Sequence, residues 1–161
     1  MIIMIISVIV LVALDQFTKY LTVLHIPRNG YIPLIGDVFG LSHVRNEGAA
    51  FGSLQGSRWF FIIITTIIII AMLYAYAKIP KHKRYMPIRI TLTLIIAGAI
   101  GNYIDRIRLT YVVDMLYVKL INFPVFNAAD CYVVVGATLL VILMLFKYKE
   151  EDFSFLKRSK E

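Results

Sequence analysis

Four long apolar runs separated by polar stretches set the plan of this chain. Residues 2–24, 59–77, 88–107 and 127–146 each offer about the 20 residues an α-helix needs to cross a bilayer core. Their many β-branched residues lower helix propensity in water. In lipid the backbone must satisfy its own hydrogen bonds, which leaves only a helix or a closed barrel. None of the runs alternates as a barrel strand does, so four transmembrane helices are predicted. The connections are 25–58, 78–87 and 108–126, with a tail at 147–161. The first run could be a cleaved signal peptide, but MIIMIIS lacks a basic start and no small-x-small site precedes DQFTK, so it reads as a retained helix.

The connection 25–58 carries its own structural signals. Arg-Asn-Gly at 28–30 is a turn, and IPLI and VFGLSHV read as two short strands joined at Gly36-Asp37. The charges of RNEGAAFG fit a solvated loop, while its small GAAFG run suits a surface that closes over a substrate. The tail KYKEEDFSFLKRSKE reads as a partly disordered end, and deleting residues 152–161 is expected to leave activity intact.

Composition supports the membrane reading. The 161 residues are 60% hydrophobic and 17% charged, with a mean hydropathy of +0.78, which suits one compact integral membrane domain and not a soluble one. Net charge is +7, but the basic residues cluster at the predicted membrane edges. Anionic lipid is therefore the expected partner, and not nucleic acid. Lys78, Lys81, Lys83 and Arg84 fall in the 78–87 connection, and Lys147, Lys149, Lys157, Arg158 and Lys160 in the tail. The other two connections are sparser, with Arg28, Arg45, Arg58, Arg108 and Lys119. The positive-inside rule then places both termini in the cytoplasm and loops 25–58 and 108–126 outside. Cys131 is the only cysteine, so no intrachain disulfide or zinc-type spacing exists, and His25, His43 and His82 are scattered. Without a basic partner the Cys131 thiol reads as a packing group.

The chemistry is carried by the few ionisable groups in or beside the spans. Asp15, Lys19, Asp105, Arg106, Asp114 and Asp130 each carry an insertion penalty that pairing only partly offsets. Asp15 and Lys19 lie one turn apart on one helix face, as do Asn102 and Arg106, while Asn127 and Asp130 open the fourth helix. Asp105 points away from Arg106. The AGAIG segment at 97–101 is expected to allow close helix packing and no more. Three polar stripes at one depth should face a common interior site. Asp114 and Asp130 fall at the same outer edge, where two neighbouring carboxyls would share a proton and divide acid and base work. The plainer alternatives are that Asp130 caps helix 4 and that Asp114 pairs with Lys119 or Arg108. A small transporter using Asp15 and a non-catalytic scaffold are further possibilities. The GxGD motif of presenilin-type proteases is absent.

Taken in order, DQFTK (15–19), VRNEGAAFG (44–52), GNYIDR (101–106), VVDM (112–115) and FPVFNAAD (123–130) resemble the motifs of the lipoprotein signal peptidases, or type II signal peptidases. The resemblance implies an all-α polytopic membrane protein of four transmembrane helices with a small extracytoplasmic β-cradle and a short loop helix. It implies a bacterial inner-membrane aspartic endopeptidase without metal or cofactor. This enzyme removes the signal peptide of diacylglyceryl-modified prolipoproteins just before the lipid-modified cysteine. Asp114 and Asp130 would be the catalytic pair, supported by Asn102, Arg106 and Asn127 and by the Asp15 and Lys19 pair of helix 1. Asn46 and Gly48 would meet the substrate. Cys131 stands where the family often has serine or another small residue. Membrane lipids and globomycin-type inhibitors are the further expected partners.

Overall fold

The computed structural model describes residues 1–48 and 56–156. The four apolar runs form α1 (Ile2–His25), α2 (Arg58–Lys78), α3 (Met86–Leu109) and α4 (Ala128–Phe146), each long and apolar enough to cross a membrane. The predicted hairpin is present as β1 (Tyr31–Ile35) and β2 (Phe39–Asn46), paired antiparallel around Gly36 at φ +45°, a conformation glycine adopts without strain. A third strand, β3 (Val112–Tyr117), adds to β2 in the order β1-β2-β3. The two sheet-bearing connections thus form one small sheet at one end of the bundle. Within the second of them, Lys119–Ile121 forms a single 3-10 turn. The reading of the GAAFG run beyond Gly48 falls outside the described residues.

α3 is the central helix and packs against α1, α2 and α4. Half of its most apolar stretch is buried inside the protein, far more than in α2 or α4, whose outer faces remain for lipid. Small residues make this possible. A Cβ at Gly98 would collide with the Ala129 carbonyl, and one at Gly136 would come within 2.7 Å of Ile95. α3 and α4 therefore approach nearly backbone to backbone. α3 then stops at Thr110, in the left-handed region at φ 76°, and the chain turns directly into β3.

The apolar core lies toward the end away from the sheet, around Met4, Tyr76, Ile88, Leu92, Ile96 and Tyr148. Here the structure corrects the reading of the tail as far as residue 156, and residues 157–161 lie outside the described residues. Glu150–Leu156 is a 3-10 helix docked on the α2–α3 connection, with Asp152 accepting two hydrogen bonds from Arg84 at 2.6 and 2.7 Å. Tyr85 and Tyr148 stack at 6.0 Å, and Phe153 and Phe155 close over them. Aromatic residues at 148, 153 and 155 give this segment an apolar face that its charges conceal in the sequence.

Candidate active site

The fourth helix opens with a reciprocal cap that also builds the site. Asn127 is the N-cap, and its side chain accepts from the Asp130 N–H at 3.0 Å. The Asp130 carboxylate accepts in return from the Asn127 N–H at 3.1 Å. The Asn127 amide is left to donate elsewhere, and it donates to Asp114 Oδ1 at 2.6 Å and to Asn102 Oδ1 at 3.1 Å. Asn127 thereby joins the two carboxylates. Asp130 does cap α4, but its second oxygen accepts from Asn102 Nδ2 at 2.7 Å, so capping does not exhaust it. Asp114 pairs with neither Lys119 nor Arg108. On β3 it accepts from Asn127 and from Asn46 Nδ2 of β2 at 2.9 Å, and Lys119 pairs with Asp37 instead.

Behind this pair lies a buried ion cluster. Lys19 sits between Asp15 at 2.8 Å and Asp105 at 3.0 Å, all three at most 3% exposed, and donates a third bond to Asn102 Oδ1 at 2.9 Å. Burial of charges on this scale requires that every donor and acceptor be used, and here they are turned on the backbone. Asp15 Oδ1 accepts from the N–H of Ala129, one residue before Asp130. Asp105 Oδ2 accepts from the N–H of Val113, one residue before Asp114. Gln16 bridges the two acids from behind, donating to Asp105 at 2.8 Å and Asp15 at 3.2 Å. Each of the two foremost carboxylates is thus positioned through the residue preceding it.

Of the residues singled out in the sequence, Asp114, Asp130, Asn46, Asn102 and Asn127 form one connected network, with Lys19 and Asp15 directly behind it. Arg106 sits at the rim. Its Nη2 donates to the Gly48 carbonyl at 3.2 Å, and its guanidinium lies 4.8 Å from the centre of the Phe61 ring. Arg58, at the start of α2, donates to the carbonyls of Arg106 and Ile107 at 2.8 and 2.7 Å and so closes the C-terminus of α3. The sequence reading gave no site role to Gln16, Gly101 or Arg58, and it counted Asp105 among the costly ionisable groups without placing it at the site. Gly101 has a definite role, since a Cβ there would stand 2.6 Å from the Asp15 carboxylate. The available signal was the charge count, because Asp15 and Asp105 together exceed what Lys19 alone balances.

Asp114, Asp130, Asn46, Gly48, Asn102 and Arg106 all line one cavity of about 730 Å³, whose other walls include Phe123, Val134 and Val135. Most of the cavity surface is apolar. Burial, reinforced by the charge of Asp130, pushes the Asp114 carboxyl up to about 7, against the pull of the Asn46 and Asn127 amides and of Lys19. A carboxyl in that range can hold a proton at neutral pH and release it. Among the described residues no three of His, Cys, Asp and Glu gather as a metal site requires. The arrangement suits proton exchange with a polar group presented beside an apolar chain.

Comparison with known proteins agrees over nearly the whole chain. The family described as signal peptidase (SPase) II matches residues 7–146. The lipoprotein signal peptidase of Streptococcus pyogenes serotype M5 (strain Manfredo) is 43% identical over 149 residues, covering 92% of this chain and 95% of that protein. The one from serotype M3 (strain SSI-1) is equally similar. A bacterial membrane enzyme solved by the in meso method at 2.3 Å resolution superposes with a TM-score of 0.81 at 34% identity, covering 98% of this chain and 93% of the other. A second such structure, at 1.9 Å resolution, gives 0.80 at 33% identity, with coverages of 90% and 94%.

Proposed function

The chain belongs to the signal peptidase II family, and from that premise we propose that it is a membrane aspartic endopeptidase. Its substrates are diacylglyceryl-modified prolipoproteins, which it cleaves just before the lipid-modified cysteine. The observation that carries this reading is the Asn127 bridge, which holds two carboxylates together on the wall of a largely apolar cavity. A peptide carrying acyl chains would enter from the bilayer, with its chains along the apolar wall and its scissile bond at the carboxylates.

The pair titrates as a unit, and we assign the shared proton to Asp114, which burial and the Asp130 charge raise to about 7 and whose two oxygens accept from the Asn127 and Asn46 amides. Asp130, in its ionised form, takes a proton from water as the water oxygen attacks the scissile carbonyl carbon. Asp114 gives its proton to the carbonyl oxygen, producing a neutral gem-diol. Collapse returns a diol proton to Asp114, and Asp130 delivers its proton to the departing nitrogen. Water and two carboxyls supply every proton moved, so the cycle calls for no further group.

Asn102 and Asn127 hold the pair in register, and Arg106, Asn46 and Gly48 meet the substrate backbone at the rim. Globomycin-type inhibitors would fill the same cavity. The whole chain acts as a single domain of a bacterial cytoplasmic membrane, with both termini cytoplasmic and the sheet end outside. The basic 78–87 connection and tail support that orientation.

The test is a cleavage assay on purified, reconstituted protein with a diacylglyceryl-modified prolipoprotein and its unmodified form. Wild type should cut only the lipidated substrate. Asp114→Asn and Asp130→Asn, confirmed folded, should each fall by at least about a thousandfold, in line with the loss of one member of an acid–base pair. Substantial cleavage by either folded variant would end the aspartic assignment. Equal cleavage of both substrates would end the lipid requirement.

A further inference from the structure

A second, smaller cavity of about 210 Å³ lies at the end of the bundle away from the sheet. Ile3, Ser7 and Leu11 of α1 form one wall, and Arg89, Ile90 and Leu94 of α3 form the other. These are the two helices that the buried ion cluster ties together at the opposite end. From Ile3 to Leu11 the groove follows about 12 Å of helix axis, running inward from the membrane edge.

Apart from Ser7 and Thr93 its lining is largely apolar, and Arg89 supplies the one charge among its lining residues. The guanidinium lies 4.2 Å from the centre of the Tyr76 ring and donates one bond to the Ile79 carbonyl at 3.0 Å. A guanidinium has five N–H donors, so these contacts fix its place while leaving capacity for an anion. Both wall helices begin at this end, and neither has an acidic residue in its first turn, so both positive helix ends face the same edge. The adjoining connection adds Lys78, Lys81 and Lys83. The docked 3-10 helix brings Glu150, Glu151 and Asp152 to this end, and of these Asp152 is engaged by Arg84.

An apolar groove facing lipid is poorly satisfied if empty, and a basic head on such a groove selects an anionic head group. We infer that the α1–α3 groove binds an anionic phospholipid, with its phosphate against Arg89 and one acyl chain along Ile3, Ser7, Leu11 and Leu94. The site is separate from the cavity that holds Asp114 and Asp130, and the inference does not depend on what that cavity does.

The experiment is native mass spectrometry of the full chain released from mixed nanodiscs of phosphatidylglycerol and phosphatidylcholine. It is paired with cross-linking by a phosphatidylglycerol bearing a photoreactive acyl chain. Wild type should retain phosphatidylglycerol several-fold over phosphatidylcholine, with cross-links on peptides containing Ile3–Leu11 or Arg89–Leu94. Arg89→Gln should remove most of the preference and Arg89→Lys should keep part of it. Ser7→Phe, which fills the groove, should suppress the cross-links while prolipoprotein cleavage continues. Equal retention of the two lipids by wild type, or cross-links confined to other surfaces, would overturn the site. So would a preference unchanged in folded Arg89→Gln. Displacement of the lipid by millimolar inorganic phosphate would show that a free anion is bound and would likewise overturn it.

Discussion

At the sheet end Lys19 lies within 3.0 Å of two carboxylates, with all three groups shielded from solvent. At the opposite end Arg84 and Asp152 approach as closely, yet Arg84 stands in solvent. The distances are alike and the energetics are not. Buried charges have lost their hydration, so each depends on its partners, and removing one strands the others. An exposed pair exchanges protein for water with little change in free energy. The sheet end has accepted the greater desolvation, and there the buried acids hold the backbone immediately before Asp114 and Asp130. The other end uses its charge at the surface and lets aromatic packing supply the adhesion.

Lys19→Met breaks that contrast most severely. It leaves Asp15 and Asp105 buried without a cation and removes a donor from Asn102. A loss of about 3–5 kcal/mol is expected from stranding buried ionic partners. Thermal unfolding in micelles should show a large drop, and cleavage should fall even well below the unfolding temperature. Arg84→Met at the other end should show neither effect at comparable size. Similar losses from both substitutions would mean that burial does not distinguish the two clusters.

Much of this arrangement could be read from the sequence, and the remainder could not for definite reasons. Hydropathy marks the helices because lipid leaves the backbone few alternatives. Asp114 and Asp130 stand out because acids are rare among apolar flanks. β3 was missed because its partner strand lies across α2 and α3 in the chain, and a strand whose pairing is non-local carries a weak local signal. Asp105 was set aside because its neighbour Arg106 attracts attention, although adjacent helix positions point in different directions and Asp105 faces α1. AGAIG was rightly seen as a packing segment, but only the fold shows that Gly101 makes room for the Asp15 carboxylate.

Asn46→Ala sharpens the comparison inside the sheet end, since it removes no charge and only two hydrogen bonds, the donation to Asp114 and the acceptance from the Gly48 N–H. The Asn46 amide stabilises the ionised form of Asp114, so its loss moves that carboxyl further above about 7. Asp114 must be protonated to assist the carbonyl, so activity falls as pH rises through its pKa. The alkaline limb of kcat/KM should shift upward by up to about one pH unit, the equivalent of one charge-assisted hydrogen bond. Stability follows the same sign. A carboxyl raised on folding contributes fully below its unfolded pKa, near 3.8, and that contribution is lost as pH rises through about 7. A limb that stays in place, or moves to lower pH, would remove Asp114 from the proton-holding role.

The smallest effect belongs to the docked tail. Asp152 accepts from Arg84 and from the Lys149 N–H, which hold its carboxyl down at about 2, while Tyr148 and Tyr85 donate their hydroxyls across the joint at 2.7 and 2.9 Å. A depressed carboxyl contributes above its unfolded pKa of 3.8 and loses that contribution as pH falls through about 2, so at neutral pH the pair is fully formed. Asp152→Asn should lower the unfolding temperature slightly at low salt, and the difference should narrow at high salt because the pair is solvent-facing. Removing residues 150–156 altogether uncovers the Tyr85 and Tyr148 rings and should lower it further, through lost apolar contact and not lost charge. Neither change reaches Asp114 or Asp130, so cleavage measured well below the transition should persist in both variants. If the truncated chain retained its unfolding temperature, the tail's aromatic packing would add nothing; if it remained folded but inactive, the two ends of the bundle would be coupled after all.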